Sequence, residues 1–170
     1  MKREDAILLL KKVGCSIEVI HHSLAVEKIA VEVAEKIKNN GKQVDVEKVR
    51  IGALLHDIGR AKTHDIFHGV VGEKILRDLD LDEFARFASC HIGAGIPRPE
   101  AKKLGLPPKD FLPETLEEKI VAYSDKLAAG DRRISPEEAI EDFRSKLGPG
   151  HPAIKRFEEL QSEILKLMGG

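Results

Sequence analysis

Only two cysteines occur in the 170 residues, Cys15 and Cys90, far apart and with no Cys-x-x-Cys pairing. That argues against a zinc knuckle or a disulfide framework and leaves two free, buried thiols as the expectation. Long apolar runs are missing as well, none approaching the roughly 20 residues that a membrane-spanning helix needs. Nor is one sign of charge in excess: 28 Lys and Arg stand against 29 Asp and Glu, a formal net charge of −1. Such a balance speaks against a general nucleic-acid binder or a membrane-surface protein, while a locally basic pocket stays compatible with it. The opening Met-Lys-Arg-Glu-Asp carries acids and no small-residue cleavage site, so no signal peptide is expected and a cytoplasmic location is. Asn and Gln are scarce beside Lys and Glu, a bias that fits a heat-adapted source.

What is present is globular in balance, 42% hydrophobic against 34% charged, and long enough for one core. Repeats, low-complexity runs and alternating strand patterns are absent, so the expected class is all-α. Helices are expected over residues 4–12, from a Ser16 cap to about Asn40, from an Asp45 cap to Ile58, and from Thr63 or Asp65 to Leu79. Others should begin at Asp80 or Asp82, at Thr115 (with Glu118 completing a capping box), at Ser135-Pro136 and at Pro152. Between Ile92 and Pro113 the chain is rich in Gly and Pro, with a brief helix possible near Glu100–Leu104, and reads as a lid or binding loop.

The organising stretch is Arg50–Arg60, Arg-Ile-Gly-Ala-Leu-Leu-His-Asp-Ile-Gly-Arg. Val49, Ile51, Ala53, Leu54, Leu55 and Ile58 cover every side of a helix, so it should be buried on all faces. It nevertheless ends in His56 and Asp57. Burying an imidazole beside a carboxylate is costly unless both are paired, and a metal ion pairs both at once. Taken alone, the dipeptide is weak, since a buried pair can equally bond to the backbone.

Its companions are His22 in His-Ser-Leu-Ala-Val, His68 in Phe-His-Gly-Val-Val-Gly, His91 in Ser-Cys-His-Ile-Gly and Asp125 in Ala-Tyr-Ser-Asp-Lys-Leu. His21 and His22 differ by about 100° around a helix and cannot both point inward. On an expected stripe of His68, Val71, Ile75 and Leu79, His68 reads equally as a core residue or a ligand; Gly69 and Gly72 allow close approach there. Asp125, against small and apolar neighbours, needs a cation or several donors.

The order His…His-Asp…His…His…Asp resembles the HD-domain superfamily of metal-dependent phosphohydrolases, and His-Asp-Ile-Gly the subset known as HDIG. The resemblance covers about residues 20–130, and it selects His22 over His21. His-Gly-Val-Val-Gly with Leu-Glu-Glu-Lys-Ile-Val-Ala-Tyr-Ser-Asp-Lys-Leu looks similar to the bacterial symmetrical dinucleoside tetraphosphate hydrolases. The Pro-rich insertion after His91 and Gly-Asp-Arg-Arg after Asp125 depart from that branch. As one HD domain spanning residues 1–170, the chain would have its motif-bearing core at about 16–130 and C-terminal helices over 135–168.

The resemblance implies a first divalent ion on His22, His56, Asp57 and Asp125, and a second on His68 and His91, with Asp57 shared. Iron, manganese, zinc or magnesium would suit such ligands. His56, Asp57 and Asp125 would carry catalysis, with two ions about 3.5–4 Å apart activating a hydroxide for attack on a phosphoester or phosphoanhydride. The expected partner is a small phosphorylated molecule, a nucleotide by preference, and a homo-oligomer is compatible with the sequence. Arg60, Lys62, Arg98, Arg132 and Arg133 are candidates to hold its phosphates. Two other readings fit the pattern: an HD-fold di-iron oxygenase, which the same six ligands resemble, and a non-catalytic nucleotide-binding domain.

Overall fold

The computed structural model describes residues 1–170 and is almost wholly helical. Its helices are α1 (Arg3–Val13), α2 (Ile17–Asn39), α3 (Val46–Leu55), α4 (His68–Asp78), α5 (Asp82–Ser89), α6 (Arg98–Lys103), α7 (Leu116–Lys126), α8 (Pro136–Leu147) and α9 (Pro152–Leu167). Short 3-10 turns occupy Ile58–Ala61 and Ile92–Ala94. The only sheet is a two-residue antiparallel hairpin, β1 (Ala128–Ala129) with β2 (Arg132–Arg133). The all-α expectation holds, with this hairpin as the one addition.

Local chemistry sets the helix starts. The side chains of Ser16, Asp45, Thr115 and Ser135 accept hydrogen bonds from the backbone N–H of Val19, Lys48, Glu118 and Glu138. Each satisfies a donor that the first helical turn leaves free, a contribution of about 1 kcal/mol apiece. Glu118 reaches back to the Thr115 N–H and completes the capping box.

Packing centres on α3. Val46, Val49, Ile51, Gly52, Ala53, Leu54 and Leu55 are all buried, and α1, α2, α5 and α7 pack around them. One apolar cluster runs from Ala6 in α1 to Ile164 in α9. From Ile51 onward α3 is buried on every side, so the polar residues at its end are delivered into the interior.

Three expectations are corrected. Helix α3 stops at Leu55 instead of Ile58, because the chain tightens into a 3-10 turn directly after His56-Asp57. The inner face of α4 is His68, Gly69, Gly72 and Leu76, whereas Leu79 is exposed. Glycine explains the rotation: a Cβ on Gly59 would overlap the His68 carbonyl oxygen and approach Gly72 N to 2.7 Å, so α4 lies directly on the 3-10 turn. The third concerns Ile17, which helical spacing sets on one stripe of α2 with Ile20, Leu24, Val31 and Ala34 but which is exposed.

The Gly/Pro-rich segment is more ordered than a covering loop. Ile96 and Phe111 exchange backbone hydrogen bonds of 3.0 and 2.8 Å, and α6 lies between them. Ile96, Ala101, Leu106 and Phe111 form a second small core, on which Ile66, Val70 and Ile92 pack. Glu100 is clamped by Arg156 of α9 through two hydrogen bonds of 2.7 and 2.8 Å.

Candidate metal centre

Five elements deliver the six residues to one place: His22 from α2, His56 and Asp57 from the end of α3, His68 and His91 from the start of α4 and the end of α5, and Asp125 from α7. All except His22 are buried, and His22 is half-buried, whereas His21 is exposed.

Every one of the four rings is fixed in the same way. Nδ1 lies 2.6 Å from the Gly130 carbonyl oxygen in His22 and 2.6 Å from that of Ala53 in His56. In His68 it lies 2.7 Å from the Asp65 oxygen, and in His91 2.8 Å from that of Ala88. A carbonyl oxygen can only accept, so Nδ1 carries the proton and Nε2 of the neutral ring is a bare lone pair. Committing one ring nitrogen to a backbone oxygen is how proteins orient metal-binding histidines.

The four Nε2 atoms converge on two carboxylates. Asp125 Oδ1 lies 2.9 Å from His22 Nε2 and 3.3 Å from His56 Nε2. Asp57 turns Oδ2 toward that group, 3.7 Å from both His22 and His56, and Oδ1 toward the other, 3.2 Å from both His68 and His91. The carboxylate of Asp57 therefore faces two donor sets, one with each oxygen. His56 Nε2 and Asp57 Oδ1 are buried without a hydrogen-bond partner. Unsatisfied buried polar atoms are costly, and a divalent cation satisfies both kinds of donor together, so the residues present fit such an ion.

The electrostatics agree. Burial alone would raise the pKa of Asp57, but the surrounding imidazoles of His56, His68 and His91 hold it well below the usual range. Asp125 is held low against the same burial by Lys126, His22 and His56. Burial pulls His22 down, yet the hydrogen bond and charge of Asp125 and the charge of Asp57 raise it to about 9. His91, fully enclosed, is pushed by burial down to about 4, the neutral form a ligand requires.

A cavity of about 1230 Å³ opens over this cluster, bounded on its far side by α8. Of the residues expected to hold phosphate, Arg60 and Arg132 line it, while Lys62, Arg98 and Arg133 do not. Arg60 Nε lies 3.0 Å from Asp57 Oδ2. Arg133 is paired with Glu32 at 2.6 Å, and Arg98 is exposed on α6, its backbone N–H bonded to Asp110. Sequence reasoning passed over Lys126, which lines the cavity with Nζ 2.7 Å from Asp125 Oδ2. Its one signal was adjacency to a ligand. His64 also lines the cavity, and the Gly130 carbonyl that fixes His22 carries no side-chain signal in the sequence.

Comparison with known proteins places this geometry. The HD domain family matches residues 19–130, most of the chain and all six converging residues. An uncharacterized protein of Methanocaldococcus jannaschii is 54% identical over 169 residues, 99% of each chain. A tRNA (cytidine(56)-2'-O)-methyltransferase of Thermoplasma volcanium is 45% identical over 139 residues, 81% of this chain but only 40% of its own length. Ribonuclease Y of Thermosipho melanesiensis is 30% identical over 147 residues, 85% of this chain and 24% of its own. The chain thus spans less than half of either of these two enzymes.

Proposed function

The chain belongs to the HD-domain family, and from that premise we propose that it is a metal-dependent phosphohydrolase acting on a nucleotide or a related phosphoester or phosphoanhydride. The observation that carries the reading is Asp57, whose two oxygens address two separate sets of imidazole nitrogens. His22, His56, Asp57 and Asp125 would hold one ion, and Asp57, His68 and His91 a second. Such ions, when bound, polarise a phosphoryl oxygen and lower the pKa of an attacking water. The chain's own part is orientation: four backbone carbonyls fix the rings, and α3 and α7 carry the carboxylates in from the core. Arg60, beside Asp57, supplies a guanidinium for a non-bridging phosphate oxygen.

A finer assignment is to the branch resembling the symmetrical dinucleoside tetraphosphate hydrolases. The similarity to ribonuclease Y favours a second substrate type, a phosphodiester. The methyltransferase name belongs to a protein more than twice as long, and a methyl-transfer activity is not carried over from it. We take residues 1–170 as one HD domain, with a small phosphorylated molecule as its partner.

The test is elemental analysis of protein purified without added metal. It is followed by a turnover screen of mononucleotides, dinucleoside polyphosphates and short RNA with manganese, iron, zinc and magnesium. Metal bound with hydrolysis of one class, read as released phosphate or as nucleotide products, supports the reading; oxygen consumption at an iron centre without such hydrolysis would replace it with the oxygenase. Nucleotide binding with no bound metal and no turnover would leave a binding domain.

A further inference from the structure

One cation stands at this site without an evident structural task. Lys126 Nζ lies 2.7 Å from Asp125 Oδ2, the oxygen turned away from the histidines, and its side chain forms part of the cavity wall. Asp125 Oδ1 is the oxygen that faces His22 and His56. An ammonium carries three N–H donors, and Asp125 takes one. No other protein acceptor is in reach, so two donors remain directed to the cavity beside the group that would hold the first ion.

A lysine in the last turn of α7 complements the helix dipole, which explains a positive charge there. It does not explain why the charge turns inward. Held beside a cluster whose residues would bind a divalent cation, an ammonium opposes such an ion by Coulomb repulsion. Asp125, with one negative charge, then serves both the ammonium and the cluster that would hold the ion, and an anion joining the site supplies the charge that is lacking.

We propose that Lys126 is the phosphate-binding residue of this centre. Asp125 holds Nζ in place, and the two remaining donors bind a non-bridging oxygen of the phosphoryl group being transferred. This rests on the phosphohydrolase reading and adds a substrate contact to it. Lys126 and Arg60 then grip the phosphoryl group from the two carboxylates of the site, a point charge on Asp125 and a planar fork on Asp57.

The experiment titrates manganese and then inorganic phosphate by calorimetry into the full-length wild type, Lys126→Met and Lys126→Arg. Lys126→Met is expected to bind manganese as tightly as the wild type or more tightly. Phosphate should bind it at least about tenfold more weakly, as loss of one charge-assisted hydrogen bond requires. Lys126→Arg should recover most of that loss. Equal phosphate affinity in the wild type and Lys126→Met overturns the proposal. So does loss of manganese together with phosphate in Lys126→Met, which would reduce Lys126 to a support for Asp125. Should Lys126→Met not fold, as judged by its melting curve, Lys126→Gln takes its place with the same two outcomes. Failure of the manganese-loaded wild type to bind phosphate would instead remove the phosphohydrolase reading itself.

Discussion

His68 and His91 point Nε2 at one another across 3.2 Å, with Nδ1 of each ring committed to a backbone carbonyl oxygen. Two neutral imidazoles arranged in this way oppose lone pair to lone pair, which is repulsive by itself. Asp57 Oδ1, 3.2 Å from both, adds a third acceptor to the same space. Three acceptors and no donor form an arrangement that only a cation stabilises, and the surrounding apolar core keeps them from relaxing outward. The core that makes α3 the centre of the fold thus also concentrates negative potential at its end.

Gly59 is the hinge of that arrangement. A side chain there meets the His68 carbonyl oxygen and Gly72 N, both backbone atoms that move only if α4 moves. Gly59→Ala should therefore destabilise the protein by about 1–3 kcal/mol through overpacking and carry His68 away from Asp57. Thermal melting and manganese titration together check this. A variant with unchanged melting and unchanged metal content would show that α4 can shift freely.

How far the sequence reveals this depends on which atoms do the work. The capped starts of α2, α3, α7 and α8 were legible because Ser16, Asp45, Thr115 and Ser135 act within their own helical turn. The six converging residues stood out through their order along the chain, and the choice of His22 over His21 followed from the family pattern. The inner face of α4 was misread because apolar periodicity favours Val71 and Ile75, while the structure buries Gly69 and Gly72, whose contribution is the absence of a side chain. Phosphate candidates chosen by charge alone were scattered, since Arg133 pairs with Glu32 and Arg98 lies exposed on α6, away from the cavity. Lys126 was missed because its importance comes from contact with Asp125, a three-dimensional fact.

The segment after His91 should behave as part of the body of the protein. Its own core of Ile96, Ala101, Leu106 and Phe111 and the Glu100–Arg156 clamp tie it down at both ends. Amides of Ile96, Leu106 and Phe111 are expected to exchange slowly without any ligand, and Arg156→Met should speed them. Addition of phosphate should change exchange chiefly around Ile92 and Gly93, the part that lines the cavity. Uniformly fast exchange over 93–113 that slows on ligand addition would restore the covering-loop reading.

Chelated protein should lose stability as the pH rises. The folded pKa of His22 is raised from an ordinary 6.5 to about 9, with burial opposing and Asp125 and Asp57 prevailing. A raised pKa means that the folded state holds a proton more tightly than the unfolded chain, so the stabilisation is complete below about 6.5 and disappears as pH climbs through about 9. Melting temperature in chelator should fall across that window, and His22→Gln should flatten the fall. In metal-loaded protein the ion takes the place of the proton, so the slope should weaken. A chelated His22→Gln variant with the same pH dependence as the wild type would assign the fall to other groups.

The decisive variants divide the cluster between one ion and two. Asp57 turns one oxygen to each donor set, so Asp57→Ala should lose most of the metal and nearly all turnover. His68 faces Asp57 Oδ1 alone and lies beside His91. His68→Ala should accordingly retain about one ion per chain on the His22 side while turnover collapses, because a two-ion clamp on the phosphoryl group needs both. Asp125→Asn preserves shape but removes the charge that faces His22 and His56, so it should weaken the first ion and spare the second. Metal content by elemental analysis and turnover measured on the same preparations separate these cases. If His68→Ala keeps full metal content and near-normal turnover, His68 is a core histidine, and the centre is a single-ion site of His22, His56, Asp57 and Asp125.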